Sequence, residues 1–183
     1  MRILIVALAL LVGSCSALNP YLYSDGDKGT PETLPVQVSE LTEMAQYCVD
    51  VYDDGTKVGD LMYRMYYKDG VTIIAIRGTA NAGNVVSDID ARFYHDKSAE
   101  ILFHRGFHDA ALKVYDSIKN QHNDKTIYLT GHSLGGATAT ILADLMLPHN
   151  DNIAIVTAGS PRPGGRRLKR RIKDVEHLRF VLG

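Results

Sequence analysis

Apolar residues recur along the chain at two spacings, one typical of helices and one typical of strands. Ser39 is a residue type favoured at helix N-caps, and apolar residues at helical spacing follow it. These residues are Leu41, Met44, Ala45, Cys48, Val51 and Tyr52. The same spacing recurs at Phe107, Ala110, Ala111, Val114 and Ile118. We therefore predict two amphipathic helices, each with one face on a core.

Patterns typical of strands lie between these two predicted helices and after the second one. Two β-prone runs at residues 61–67 and 71–76 flank Lys68-Asp69-Gly70, which predicts a hairpin. The later predicted order is strand 126–130, helix 134–147, strand 153–157, a basic helix near 166–173 and strand 177–182. Strands that alternate with helices imply right-handed crossovers, so we predict an α/β fold with a mostly parallel sheet covered by helices on both faces.

The amino terminus carries an uninterrupted apolar run at residues 3–12, after Arg2 and before small residues up to Ala17. This pattern is typical of a signal peptide, and the run is shorter than the roughly 20 residues of a membrane span. We predict a signal peptide at residues 1–17 of a secreted or exported protein, an irregular lead-in at 18–35 and the folded domain at 36–183. A lipid anchor on Cys15, which lies in a sequence similar to a bacterial lipobox, is the alternative.

Composition and charge narrow the function classes. With 183 residues, 45% of them hydrophobic, the chain suits one globular domain. The formal net charge of -1 offers no overall attraction for nucleic-acid phosphates, so no nucleic-acid partner is predicted. Cys48 is predicted to be a small buried residue. His104 and His108 lie four residues apart, but Gly106 between them and the lack of a glutamate-based zinc signature argue against a metal site. No metal and no cofactor is predicted.

The most informative segment is Gly-His-Ser-Leu-Gly-Gly-Ala at residues 131–137, between a predicted strand and a predicted helix. A serine with glycines two positions before and two after is typical of a nucleophile elbow, a strained turn that presents the hydroxyl at the carboxyl end of a strand. Ser133 is therefore the candidate nucleophile of an acyl transfer. Close packing of the helix on neighbouring strands is the purely structural explanation of the glycines.

Acyl transfer by a serine also needs hydrogen-bond donors that face the developing oxyanion. The N–H of Leu134 begins the predicted helix, where backbone donors lack partners and the helix dipole favours negative charge. Thr79 follows strand 71–76 and Gly78, and offers both an N–H and a hydroxyl. We predict that Thr79 and Leu134 form the oxyanion hole. The alternative for Thr79 is a turn residue whose side chain caps its own backbone.

Four segments together resemble the class 3, or fungal-type, lipases. They are Arg77-Gly78-Thr79, His104-Arg105-Gly106-Phe107, residues 131–137 and Gly159-Ser160-Pro161-Arg162. The resemblance runs from about residue 41 to the end of the chain. It implies an α/β-hydrolase fold and cleavage of carboxylic esters of lipids through an acyl-enzyme on Ser133, with Thr79 and Leu134 as oxyanion donors. It also implies a lid at about residues 80–90 and a hydrogen-bonded core histidine at His104.

The family also requires an aspartate and then a histidine after the nucleophile. Asp174 and His177 have this order, but Asp174 precedes the last predicted strand and His177 is its first residue, so both belong to its amino end. His149 and Asp151 similarly precede strand 153–157. Both pairs are therefore expected at the wrong edge of the sheet. Two interpretations follow. The chain is a fragment, truncated at its C-terminus, with both residues beyond residue 183, or it is a shortened and nearly inert lipid-binding remnant.

The predicted substrate is a lipid or other ester, met at a lipid–water interface. An esterase or phospholipase of the same fold is the alternative enzyme. The basic helix near 166–173 is expected to be a solvated face, and attraction to an anionic lipid surface is its functional alternative.

Overall fold

The structure is a computed structural model that describes residues 38–78, 93–96, 101–121 and 126–180. In chain order these ranges contain α1 (Val38–Asp50), β1 (Thr56–Val58), β2 (Leu61–Lys68), β3 (Val71–Ile76), β4 (Phe93–Asp96), β5 (Ile101–His104), α2 (Arg105–Ile118), β6 (Ile127–His132), α3 (Leu134–Met146), β7 (Ile153–Ala158), α4 (Arg166–Arg171) and β8 (Glu176–Phe180). The predicted signal peptide, lead-in and lid lie outside the described residues. Within the described ranges, no helix has the length and hydropathy to cross a membrane.

Six strands form one sheet in the order β1-β2-β3-β6-β7-β8. Strands β3, β6, β7 and β8 are parallel to one another, while β1 and β2 run antiparallel at one edge. The β2–β3 turn places Asp69 at φ 49° and Gly70 at φ 80°, the two positive values that a type I′ Asp-Gly turn requires. The predicted hairpin and the mostly parallel sheet are thus confirmed.

Helices cover both faces of the sheet. Because successive residues of a strand point to opposite faces of the sheet, Ile73 and Ile74 pack in different hydrophobic cores. Ile74 belongs to the larger core, which includes buried residues of α2 and α3. Ile73 packs with Met44 of α1 on the other face. Cys48 of α1 is fully buried, as predicted, and burial raises the pKa of its thiol to about 11.

Several boundaries differ from those predicted. Helix α1 begins at Val38 and ends at Asp50, so Ser39 lies inside the helix and Tyr52 in the turn that follows it; helix ends vary by one or two residues. Helix α4 ends at Arg171 and β8 begins at Glu176, each within two residues of the prediction. Strands β1, β4 and β5 were not predicted because they have only three or four residues, too few for a recognisable alternation.

The register brings the carboxyl ends of the parallel strands together. Ile76 pairs with Gly131, His132 pairs with Ala158, and Ala158 pairs with Phe180. The residues that follow β3, β6 and β7 therefore meet at one edge, where open α/β sheets bind their ligands.

Candidate active site

Ser133 joins β6 to α3 in a strained conformation. Its backbone has φ 54° and ψ -124°, and a positive φ at a residue other than glycine costs about 1–3 kcal/mol. Hydrogen bonds hold this geometry: the Ser133 N–H donates to the Ala158 carbonyl at 2.9 Å, and the Ser133 carbonyl accepts from the Gly136 N–H at 3.0 Å. The half-buried side chain makes no capping hydrogen bond to α3. The strained turn expected of the motif is therefore present, and the hydroxyl is not used to cap the helix.

The glycines around Ser133 allow backbones to approach closely. A Cβ on Gly135 would overlap the carbonyl oxygen of Ile76, and a Cβ on Gly131 would overlap the backbone of Gly135. A Cβ on Gly136 would lie 2.9 Å from the Cβ of Ser160. Helix α3 can therefore start directly against β3 and the end of β7 only because these positions lack side chains.

The backbone N–H groups at the start of α3 are the hydrogen-bond donors nearest in sequence to Ser133 that could face an oxyanion. Leu134 is the first helical residue, and the N–H at the first position of a helix has no intrahelical acceptor. The helix dipole places about half a positive charge there. Thr79, the other predicted donor, lies outside the described residues, and its neighbour Gly78 is the last described residue of that segment.

Gly78 packs against the residue that precedes Ser133. A Cβ on Gly78 would lie 2.6 Å from the carbonyl oxygen of His132 and 2.8 Å from the hydroxyl of Tyr52. The Gly78 N–H donates a hydrogen bond to that hydroxyl, and burial raises the pKa of Tyr52. The Arg77 guanidinium lies 5.9 Å from the centre of the Tyr52 ring. Tyr52 thus contacts the residues that follow β3, and Gly78 among them packs on the residue before Ser133. The position of Tyr52 in the sequence, after α1, did not indicate this contact.

His132 is the residue that precedes Ser133, and its ring is half-buried. Its Nδ1 is buried and has no hydrogen-bond partner among the described residues. Burial lowers the pKa of His132, because the charged imidazolium would lose its hydration. The imidazole is therefore neutral at neutral pH.

The lowered pKa of His132 predicts a pH dependence of stability. The unfolded chain binds a proton on this residue below its ordinary pKa of about 6.5, where the folded protein does not. This contribution to the free energy of unfolding is complete above about pH 6.5 and is lost as the pH falls toward the folded pKa. The free energy of unfolding is measured with urea above and below that pH. The difference between the two values should be smaller for His132→Gln than for the wild type. An unchanged pH-dependent difference in His132→Gln would contradict the assignment.

The aspartates and histidines that follow Ser133 do not reach this edge of the sheet in the described residues. His177 pairs with Ile155 in the sheet and its Nε2 lies 3.2 Å from the Thr157 hydroxyl. It stands three positions before Phe180, about 10 Å from the carboxyl end of β8. Asp174 precedes β8 and is exposed. The expected amino-end position of this pair is confirmed.

The other candidates also lie elsewhere. His149 and Asp151 are exposed between α3 and β7, at the amino end of β7. Asp144 lies within α3 and is buried, and its Oδ1 accepts a hydrogen bond from the Arg171 guanidinium at 2.6 Å.

The two histidines at β5 and α2 are used in packing. The His104 ring stacks on Phe107 with centroids 4.3 Å apart, and the buried His108 ring lies 5.0 Å from the Tyr94 ring and 4.7 Å from the Phe103 ring. Within the described ranges, no group of three or more His, Cys, Asp or Glu residues could hold a metal ion.

Comparison with known proteins finds one family. A model of the family described as Lipase (class 3) matches residues 73–183. The Rhizomucor miehei triacylglyceride lipase superposes with a TM-score of 0.60 at 20% identity, over 80% of this chain and 72% of that one. A lipase from Rhizopus microsporus var. chinensis gives a TM-score of 0.57 at 19% identity, over 91% of this chain and 75% of that one. The Lip2 lipase from Yarrowia lipolytica gives 0.53 at 20% identity, over 83% and 74%. At these identities the superpositions establish a shared fold.

Proposed function

Because this chain belongs to the class 3 lipase family, we propose that it hydrolyses carboxylic esters of lipids through an acyl-enzyme on Ser133. The observation that supports this most strongly is the backbone of Ser133, held at φ 54° between β6 and α3. Strain of this kind persists where surrounding structure enforces it, and it is common at active sites. Its hydroxyl is left free of a helix-capping role.

The proposed reaction has two steps. The Ser133 oxygen attacks the ester carbonyl while a base takes its proton, and the alcohol leaves with that proton, which yields the acyl-enzyme. Water then attacks the acyl group by the same route and releases the carboxylic acid. The N–H of Leu134 and the N–H and hydroxyl of Thr79 are the proposed donors to the oxyanion in both steps.

Support for Thr79 comes from its chain neighbour. Gly78 packs directly on the His132 carbonyl, so the backbone that leads into Thr79 is fixed beside the backbone that leads into Ser133. This proximity of the two chain segments supports Thr79 as a donor to the oxyanion that forms when Ser133 attacks.

The base and the residue that orients it are proposed to lie beyond residue 183, in the order aspartate and then histidine. This proposal is supported by the positions of Asp144, His149, Asp151, Asp174 and His177, which the structure places in α3 or toward the amino ends of β7 and β8. Export of the protein through a signal peptide at residues 1–17 is also a proposal, supported by the amino-terminal sequence.

A substrate series tests the proposed activity. The gene product, including any residues encoded after Gly183, is assayed on soluble short-chain esters, on dispersed long-chain triacylglycerols and on phospholipids. Highest activity on triacylglycerols supports a lipase, and preference for soluble esters or phospholipids assigns an esterase or a phospholipase. No hydrolysis of any of them would identify the non-catalytic lipid-binding remnant and contradict the proposal.

Tyr52 is predicted to position the oxyanion side of the site. Tyr52→Phe removes the acceptor of the Gly78 N–H, and the loss of one such hydrogen bond is worth about 1 kcal/mol. We expect kcat to fall about 5–10-fold with little change in KM, because the hydroxyl acts on the site through the Gly78 backbone. Tyr67→Phe is the matched control, since the Tyr67 side chain is 60% exposed. An unchanged kcat in Tyr52→Phe, or an equal fall in the control, would contradict this role.

A further inference from the structure

Helix α4 and the segment before it form an exposed cationic surface. Residues 162–173 contain seven Lys and Arg residues and no Asp or Glu, in a chain whose net charge is -1. Arg162, Arg166 and Arg170 are exposed. Leu168 is 2% exposed and is the buried residue of α4. The helix is thus anchored by one apolar side chain and presents cations over the rest of its surface.

The cations differ in whether their charge is already neutralised. Arg171 is paired with the buried carboxylate of Asp144 at 2.6 Å, which fixes the end of α4 on α3. Within the described ranges, neither Arg166 nor Arg170 forms an ion pair. These two charges therefore remain available to an external partner.

An exposed apolar residue lies beside this cationic surface. Leu102 of β5 is 39% exposed. Its carbonyl accepts a hydrogen bond from the Gly165 N–H at 2.9 Å, and the His104 N–H donates to the Pro163 carbonyl at 2.9 Å. Strand β5 is therefore fixed along residues 163–165, and Leu102 stands next to the start of α4.

The segment that leads into α4 begins beside the candidate active site. Residues 159–165 leave the carboxyl end of β7, the sheet edge at which Ser133 follows β6. A flat anionic surface that also accepts an apolar side chain is a property of a lipid bilayer or monolayer with acidic headgroups.

We infer that Leu102, Arg162, Arg166 and Arg170 form a docking surface for an anionic lipid–water interface. The inference rests on the proposed lipid hydrolysis, because the role of this docking surface would be to bring Ser133 to aggregated lipid substrate. Binding to lipid is measured without turnover, so docking and hydrolysis can fail independently.

Vesicle co-sedimentation tests the docking surface. The chain, carrying Ser133→Ala to prevent hydrolysis, is mixed with vesicles of phosphatidylcholine alone or of phosphatidylcholine and phosphatidylglycerol. Binding to the anionic vesicles is expected, with loss at about 1 M NaCl, where charges are screened beyond about 3 Å. Equal binding to both vesicle types, or no binding to either, would overturn the inference.

Two charge variants locate the binding. Arg166→Gln with Arg170→Gln should weaken partitioning to anionic vesicles about 25-fold, since one cation near such a surface contributes about a fivefold factor. Lys57→Gln with Lys113→Gln is the matched control, because both lysines are exposed on β1 and α2 and the change in net charge is the same. Equal losses in the two double variants would indicate a net-charge effect and contradict the inference.

A competition experiment separates lipid from other polyanions. Duplex DNA added at the same phosphate concentration should displace the protein from anionic vesicles only weakly. Leu102→Ser should reduce vesicle binding and leave any DNA binding unchanged, because only the membrane accepts the apolar side chain. Preferential binding to DNA would assign the surface to nucleic acid and overturn the inference.

Discussion

Ser133→Ala is expected to lower kcat for ester hydrolysis on the order of 10⁶-fold, the scale seen when a serine nucleophile is removed from a working triad. The variant retains the strained turn, whose hydrogen bonds are made by backbone groups, so the loss reflects the missing oxygen. KM should change little, since the substitution removes only the attacking oxygen and leaves the rest of the site in place.

Ser117→Ala is the matched control for Ser133→Ala. Ser117 lies on α2, its side chain is half-buried, and its hydroxyl lies 2.6 Å from that of Tyr63. We expect nearly normal kcat from this control. A Ser133→Ala variant with more than a few per cent of wild-type activity would show that another group attacks the ester.

Gly135→Ala is expected to lower the free energy of unfolding by about 3 kcal/mol, at the upper end of the usual cost of overpacking. The new Cβ would overlap the Ile76 carbonyl oxygen and approach the backbone of Arg77. Backbone of a central strand cannot rotate away as a flexible side chain can, so α3 must shift. Helix propensity alone predicts the opposite sign, because alanine stabilises a helix interior relative to glycine by about 1 kcal/mol.

Gly165→Ala is the control for this substitution. A Cβ on Gly165 would meet only Leu102 atoms at 3.5 Å and 3.7 Å, ordinary contact distances, and its φ of -83° suits any residue. Chemical denaturation should show a change within about 0.5 kcal/mol for this control. Equal stability of Gly135→Ala and wild type would mean that α3 does not start against β3 as described.

The elements that sequence analysis predicted well have strong periodicity or a decisive turn. Helices α2 and α3 fall within two residues of prediction at each end, and the Asp69-Gly70 turn has the expected backbone angles. The Gly131–Ser133–Gly135 pattern predicted the strained turn because its glycines are required by contacts within one strand–helix junction. Local sequence is informative where the structural cause is local.

The parts that sequence analysis missed depend on contacts between distant segments. The hydrogen bond from Gly78 to Tyr52 joins residues far apart in the chain, and nothing near Tyr52 indicates its partner. Likewise, the exposed position of Leu102 beside α4 follows from pairing of β5 with residues 163–165. Strand β5 itself has only four residues, so neither its existence nor its neighbour was predictable from alternation.

The central claim is that the Ser133 hydroxyl is an activated nucleophile, and a fluorophosphonate probe tests it most directly. The gene product, including any residues encoded after Gly183, is incubated with the probe and digested, and the modified peptide is identified by mass spectrometry. We predict rapid modification on Ser133, and no modification of the Ser133→Ala variant at that rate. Modification of Ser133 no faster than that of a free serine, or modification at another residue instead, would contradict the claim.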